Sequence, residues 1–191
     1  SATEDAQAAR AAWCAEGGGV IATLPQDARL DVVVDALFGI GLKRPLSGLY
    51  LQAAHWANHG SARVFALDVP SGLDADSGRW VQDVPGVMAE ATVTFIGDKP
   101  GLHTADGCDA TGWVHTERLG IAAGPAIGHV ISPERFAQIL RPRPRNSHKG
   151  RFGSVAVIGG ASGMIGAPLL AGRAALRLGA GRVYVGLLGA P

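Results

Sequence analysis

Two aspartates and a serine follow strand-like runs of the sequence, and their side chains could bind a cation or move a proton. Asp68 follows the apolar run 64–67, Ser71 lies in the next turn, and Asp35 lies in the β-branched run 30–37. Open α/β sheets bind ligands at the carboxyl ends of their strands, so neighbouring strands would bring these side chains into one crevice. Oxygen ligands suit a hard cation, and a positioned carboxylate suits general-base work. The alternative is that each aspartate only caps the turn after its strand, and the residues alone leave that choice open.

A glycine-rich loop follows the first of these runs and carries positive charge. Residues 38–45 read F-G-I-G-L-K-R-P. Two closely spaced glycines let backbone N–H groups approach a phosphate, and Lys43 and Arg44 add positive charge. The third glycine of the dinucleotide-binding fingerprint is missing, so a simple strand-to-helix turn stays the alternative. Lys99, after another strand-like run, could line the same crevice or belong to an ordinary turn.

A second glycine-rich segment lies near the end of the chain. Residues 159–167 read G-G-A-S-G-M-I-G-A and separate a predicted strand from a predicted helix. The start of a helix offers free N–H groups and a partial positive charge to an anion, which favours a phosphate or carboxylate cradle. The segment lacks the Gly-Lys-Ser/Thr ending of a P-loop, and close packing of strand and helix is the alternative.

Helical spacing and apolar runs predict the elements that would position these groups. Strands alternating with helices favour a parallel sheet with right-handed crossovers. On the second helix we expect Leu49, Ala53, Trp56 and Ala57 to face the core. The predicted helices are 4–16, 47–58, 132–140 and 167–178, and the predicted strands are 20–23, 30–37, 64–67, 91–96, 112–117, 154–158 and 182–188.

Composition predicts a globular protein with a buried core. Of the 191 residues, 47% are hydrophobic and 17% charged, and the net charge of +1 gives no general attraction to nucleic acid or an acidic membrane surface. The apolar runs are too short to span a bilayer, and the two cysteines lie far apart in the sequence. These features predict a cytoplasmic protein with reduced cysteines. Because the chain begins with Ser and ends just after a strand-like run, we expect a fragment of a longer protein.

Three motifs resemble those of the NAD(P)H-hydrate epimerase family. They are D-A-L-F-G-I-G-L-K-R-P at 35–45, A-L-D-V-P-S-G-L-D-A-D-S-G at 66–78 and T-F-I-G-D-K-P-G-L at 94–102. The motif N-S-H-K-G-R-F-G at 146–153, the segment 159–167 and R-A-A-L-R-L-G-A-G at 173–181 resemble the start of ADP-dependent NAD(P)H-hydrate dehydratases. The order of the two motif sets is similar to that of bifunctional repair enzymes.

The resemblance implies a fold and an activity for each part of the chain. Residues 1–128 would form a Rossmann-like, three-layer α/β epimerase domain truncated at its N-terminus, and 129–145 a linker. Residues 146–191 would form the opening β-loop-α-β of a ribokinase-like dehydratase domain. The epimerase interconverts the R and S forms of hydrated NADH or NADPH and uses potassium. The dehydratase removes water from the S form with ADP or ATP.

The resemblance also implies roles for individual residues. Asp35 and Ser71 would be potassium ligands, Asp68 would be the catalytic acid/base group in contact with the hydrated cofactor, and Ala167 would touch the dehydratase substrate. The remaining contacts to the hydrated cofactor would come from Gly39, Ile40, Gly41, Leu42, Lys43, Arg44 and Pro45. The epimerase motif G-N-N-G-G-D and the dehydratase nucleotide loop with its catalytic aspartate are absent from the sequence. We therefore expect neither site to be complete in this chain.

The sequence leaves two rival functions open. The ribokinase-like opening is also typical of phosphotransferases that move phosphate from ATP to an alcohol, although such a kinase would not need the first domain. A non-catalytic binding module built on the epimerase fold is the other rival. A homo-oligomer also stays open, and neither a nucleic acid nor a membrane is an expected partner.

Overall fold

The computed structural model describes residues 3–25, 28–139 and 142–189. The chain divides into two compact units, residues 1–127 and 128–191. The assignment of these units to an epimerase and a dehydratase domain stays a prediction. Among the described residues, no helix combines the length and the apolar character needed to cross a membrane.

The first unit is built on one parallel sheet of four strands in the order β1-β2-β3-β4. Its register pairs Asp35 with Ala66 and Leu67 with Val93. Because all strands run the same way, their carboxyl ends share one edge of the sheet. The mixed α/β class with a parallel sheet is thus confirmed. The strands are β1 (Val32–Asp35), β2 (Arg63–Leu67), β3 (Ala91–Phe95) and β4 (Trp113–Glu117).

The connections in the first unit are only partly helical. Helix α1 (Glu4–Ala15) begins after its N-cap Thr3, and α2 (Gly48–His59) joins β1 to β2. Between β3 and β4 lie a 3₁₀ turn (Pro100–Leu102) and the short α3 (Gly107–Ala110). No helix joins β2 to β3, so the predicted alternation fails there. Residues 68–90 instead form a largely irregular connection around the buried Pro70-Ser71-Gly72 turn, where Gly72 has a φ of 103°.

Two apolar clusters hold the first unit together. One lies between α2 and the sheet and contains Leu46, Ala54, Ala57, Val64 and Val87. The second contains Val69, Leu73, Ala75, Leu102 and Ala110. It therefore packs residues that follow β2 against residues that follow β3. Burial of this apolar surface is the main force that holds the irregular connection after β2 in one conformation.

Two further predictions about the first unit are wrong. Residues 20–23 form no strand. Val20 and Ile21 are exposed, and no strand among the described residues lies beside them to complete their backbone hydrogen bonds. Leu49 does not face the core but lies in solvent, because the buried stripe of α2 runs through Ala54 and Ala57. The helix is apolar on more than one face, so periodicity alone could not choose between them.

The second unit contains a two-stranded parallel sheet of β5 (Ser154–Gly159) and β6 (Arg182–Leu187). Helix α5 (Gly166–Arg177) connects them and buries Pro168 and Gly172. Before them lie α4 (Pro133–Phe136) and a 3₁₀ turn (Lys149–Phe152). The predicted helix over 132–140 is thus shorter than expected, and its residue 140 lies outside the described residues. The predicted strand-loop-helix-strand pattern is confirmed.

Candidate functional site

The Asp35 carboxylate and the Ser71 side chain lie together at the carboxyl edge of the first sheet. Asp35 ends β1, and Ser71 follows the neighbouring β2 by four residues. The Ser71 N–H donates to Asp35 Oδ2 at 2.8 Å, and Ser71 Oγ donates to Asp35 Oδ1 at 2.7 Å. Both residues are buried. Their hydrogen bonds tie the turn after β2 to the end of β1.

The loop after β1 is tied to the same pair through its backbone. The Leu37 N–H donates to Asp35 Oδ1 at 3.2 Å, and the Phe38 N–H donates to Ser71 Oγ at 3.0 Å. From the described residues, the Asp35 carboxylate therefore accepts two hydrogen bonds at Oδ1 and one at Oδ2. A carboxylate oxygen offers about two acceptor positions, so Oδ2 keeps one position for a further partner.

Asp68 lies directly after β2 in a left-handed conformation, with a φ of 69°. The Val69 N–H donates to the Leu67 carbonyl at 3.0 Å, which closes a three-residue turn around Asp68. The Asp68 carboxylate accepts the Ile40 N–H at Oδ2 over 3.0 Å. A Cβ on Gly39 would overlap this carboxylate, so only glycine lets the loop approach Asp68 so closely. The Asp68 carboxylate therefore contacts the loop over residues 38–45, which the motifs predict to share a ligand with Asp68.

The Lys99 ammonium group is the second partner of Asp68. Lys99 Nζ donates to Asp68 Oδ1 at 2.7 Å, to Thr94 Oγ1 at 2.6 Å and to the Phe95 carbonyl at 2.9 Å. The side chains of Lys99 and Asp68 are 15% and 20% exposed, so the ion pair is largely shielded from water. The sequence alone does not identify Lys99 or Thr94 as part of this contact, because a lysine after a strand does not reveal which way its side chain turns.

The remaining residues of the loop lie mostly at the surface. Lys43 is 67% exposed, and its Nζ lies 3.6 Å from Asp74 Oδ2 and 4.0 Å from Asp76 Oδ2. Hydrogen bonds from the side chain and backbone of Ser77 hold the pKa of Asp74 below its ordinary value, and the charge of Lys43 adds to this. Arg44 is exposed beside Lys43. The loop therefore presents two cationic side chains to solvent.

Ile40, Gly41 and Pro45 are exposed as well, whereas Leu42 packs against the first apolar cluster.

Other parts of the described chain offer weaker candidates. A cavity of about 540 Å³ lies at the amino end of β2, lined partly by α2 and Gly60, and none of the predicted site residues lines it. We place the site at the opposite edge, because the convergent polar groups are there. Within the described residues, no group of three or more His, Cys, Asp or Glu side chains could hold a metal ion. Ala167 is exposed in the first turn of α5, in the second unit.

Comparison with known proteins identifies relatives over most of the chain. The chain is 39% identical over 189 residues to the bifunctional NAD(P)H-hydrate repair enzyme Nnr of Escherichia coli (strain K12), which covers 95% of this chain and 36% of that protein. The proteins of the same name from Coxiella burnetii and Vibrio cholerae are 40% identical over 161 residues and 36% identical over 186. Those alignments cover 81% and 93% of this chain, and 32% and 37% of the respective relatives.

The chain thus spans about a third of the length of the curated relatives it matches. The profile of one protein family, described as YjeF-related protein N-terminus, matches residues 1–101. This match covers more than half of the chain and includes the loop, the Asp35–Ser71 pair, Asp68 and Lys99. The chain belongs to the YjeF-related protein N-terminus family.

Proposed function

We propose that the first unit binds hydrated NADH or NADPH at the carboxyl edge of its sheet and interconverts the R and S forms. The observation that carries this proposal is the Asp68 carboxylate, which is held between the Ile40 N–H and Lys99 Nζ beside a cationic loop. The names of the relatives support the substrate class, since those proteins are NAD(P)H-hydrate repair enzymes. The names of these relatives also make the rival function, a sugar-kinase-type phosphotransferase, the less favoured one.

Asp68 is the proposed acid/base group. Among the described residues, Lys99 donates one hydrogen bond to Asp68 Oδ1, and Ile40 donates one to Oδ2. Because each oxygen can accept about two, both keep a position at which a substrate proton could be taken up or returned. A general acid or base works only if it lies within hydrogen-bond reach of the reacting proton, and two fixed partners provide that orientation.

The loop would bind the rest of the substrate. Its cationic residues, Lys43 and Arg44, suit the phosphates of a dinucleotide, since charge-assisted hydrogen bonds to phosphate are stronger than neutral ones. Gly39 lets the loop lie against Asp68, so that a ligand held by the loop would lie beside the carboxylate. We assign substrate contacts to Gly39, Ile40, Gly41, Leu42, Lys43, Arg44 and Pro45.

The Asp35–Ser71 pair fits a potassium ion by the chemistry of its atoms. Both side chains offer hard oxygen ligands, and Asp35 Oδ2 accepts only the Ser71 N–H within the described chain. We propose Asp35 and Ser71 as the residues that hold the ion. When bound, potassium would supply a positive charge that offsets the charge of the carboxylate and of the substrate phosphates.

For the second unit we propose a role in the ADP- or ATP-dependent dehydration of the S form. The support is the resemblance of residues 146–181 and the bifunctional name of relatives whose alignment includes this unit. Ala167 would contact that substrate from the first turn of α5. We further propose that 1–128 is a Rossmann-like epimerase domain, 129–145 a linker and 146–191 the opening of a ribokinase-like domain, in a cytoplasmic protein.

The direct test is the R-to-S exchange of hydrated NADPH by the full-length protein that carries this chain, followed by chiral separation. Asp68→Asn keeps the shape of the side chain and removes its basicity, so we expect the rate to fall about 100-fold or more. The matched control is Asp83→Asn, an exposed carboxylate without a side-chain partner among the described residues, which should leave the rate unchanged. Unaltered exchange by Asp68→Asn would overturn the role of Asp68.

A further inference from the structure

The side chain of Lys99 connects the ends of two neighbouring strands. Asp68 follows β2, whereas Thr94 and Phe95 end β3, and all three accept a hydrogen bond from Lys99 Nζ. From this geometry we propose that Lys99 is the positioning residue of the crevice, which orients the Asp68 carboxylate for proton transfer without touching the substrate. The proposal rests on the proposed function of Asp68.

Lys99 has no hydrogen-bond donor left for a ligand. A lysine ammonium group carries three N–H bonds, and each of them points to one of the three acceptors. The group is also mostly buried, whereas Lys43 on the loop is exposed and pairs only distantly with Asp74. Lys43 is therefore available to bind a substrate, whereas Lys99 is engaged in holding Asp68 and the end of β3.

The strand ends that Lys99 connects are both held in unfavourable backbone conformations. β2 ends in a turn centred on Asp68, and β3 ends in a similar turn centred on Ile96, with a φ of 68° and a Gly97 N–H to Phe95 carbonyl bond of 2.7 Å. Positive φ is rare outside glycine and is an outlier for a β-branched residue such as Ile96. Such conformations persist only where surrounding contacts over-determine them, and Lys99 supplies contacts on both sides.

Without Lys99, the Asp68 side chain would keep only the Ile40 N–H as a partner among the described residues. Ile40 lies on an exposed loop, so one hydrogen bond to it would not fix the direction of the carboxylate. The predicted loss is therefore in the chemical step and not in substrate binding, for which the loop supplies the contacts.

The kinetic test compares Lys99→Met with wild type in the full-length protein. We expect kcat for R-to-S exchange to fall about 10- to 100-fold, as is typical when an orienting partner is removed, while KM changes less than about threefold. Arg63→Met, which removes the cation of the exposed Arg63–Glu90 ion pair, is the matched control and should leave kcat unchanged. In Lys99→Ala, added n-propylammonium should restore part of kcat, whereas 1-propanol should not. An unchanged kcat, or a rise in KM without a fall in kcat, would overturn the proposal.

A second measurement separates this proposal from the proposed function. In ¹⁵N spectra of the ligand-free chain, the Lys99 ammonium protons should exchange with water more slowly than those of Lys43 and Lys149, and their signal should shift in Asp68→Asn. If wild type does not exchange the R and S forms, the proposed function is wrong, and the ¹⁵N signal of Lys99 still shows whether Lys99 contacts Asp68. If wild type exchanges but Lys99→Met keeps its kcat, only the positioning role falls. Equal exchange with water at all three lysines would contradict the contact itself.

Discussion

The loops that follow β1–β3 and the loop that follows β5 lie at the same ends of parallel strands but are held by different kinds of bonds. In the first unit, side chains of Asp35, Ser71, Asp68 and Lys99 bind the loops and strand ends. In the second unit, the described contacts of residues 159–166 are backbone bonds, such as Met164 N–H to the Ala161 carbonyl at 2.8 Å. The first crevice is therefore preorganised by polar side chains, and the second segment by its backbone.

The two units also differ in how deeply their leucine side chains are buried. Leu73 is 1% exposed in the second apolar cluster of the first unit, whereas Leu178, just after α5, is 81% exposed. A polar network is most strongly oriented where the surrounding residues exclude water. The same strand-loop arrangement can therefore be held by buried polar side chains, as in the first unit, or by backbone hydrogen bonds, as in the second.

The largest contrast should come from the same substitution in both units. We expect Leu73→Ala to lower the free energy of unfolding of the first unit by about 2–5 kcal/mol, because it leaves a cavity in a packed cluster. Leu178→Ala should change the second unit by less than about 0.5 kcal/mol. Native-state amide hydrogen exchange reports each unit separately. Equal losses in the two units would break the comparison.

The next largest effect should come from the buried carboxylate. Asp35→Asn places an amide group where the carboxylate accepts hydrogen bonds from Leu37 and Ser71. The first unit should lose about 2–4 kcal/mol in urea unfolding, since buried donors would lose a charged acceptor. Asp31→Asn, an exposed aspartate just before the same strand, is the control and should cost less than about 0.5 kcal/mol. A small loss for Asp35→Asn would mean that the polar pair does not hold the loops.

A smaller effect should separate two glycines of one loop. Gly39→Ala would push its Cβ into the Asp68 carboxylate and should lower the free energy of unfolding by about 1–3 kcal/mol. Gly41 has open space around the position of a Cβ, so Gly41→Ala should be neutral or slightly stabilising. Urea unfolding of both variants measures the difference. The same loss at both positions would show that the loop does not lie against Asp68.

The smallest effect concerns the turn that faces Lys43. The hydrogen bonds from Ser77 lower the pKa of Asp74 in the folded state below its ordinary value of 3.8. They therefore stabilise the folded protein at pH values above 3.8, and this stabilisation is lost as the pH falls through the lowered pKa of Asp74. Asp74→Asn should therefore cost about 0.5–1.5 kcal/mol at pH 7 and nothing well below the lowered value. Urea unfolding at several pH values checks this, and a cost independent of pH would contradict it.

Sequence reasoning reached the parallel sheet and the meeting of Asp35 with Ser71, because carboxyl ends of neighbouring parallel strands share an edge. It failed for residues 20–23, where strand propensity was present but no partner strand was available. It also could not direct Lys99 towards Asp68. Between β3 and Lys99 the chain turns at Ile96 with a positive φ, which the propensity of a β-branched residue argues against. Long-range pairing and strained turns are thus what local sequence patterns leave undetermined.

The central claim is that hydrated NAD(P)H binds at the carboxyl edge of the first sheet. Its most direct test is amide hydrogen exchange, read by mass spectrometry, of the full-length protein with and without hydrated NADPH in potassium buffer. The account predicts new protection in peptides that cover residues 36–45 and 66–72. Protection confined to other peptides, such as those covering 159–167, or no protection at saturating ligand, would contradict it.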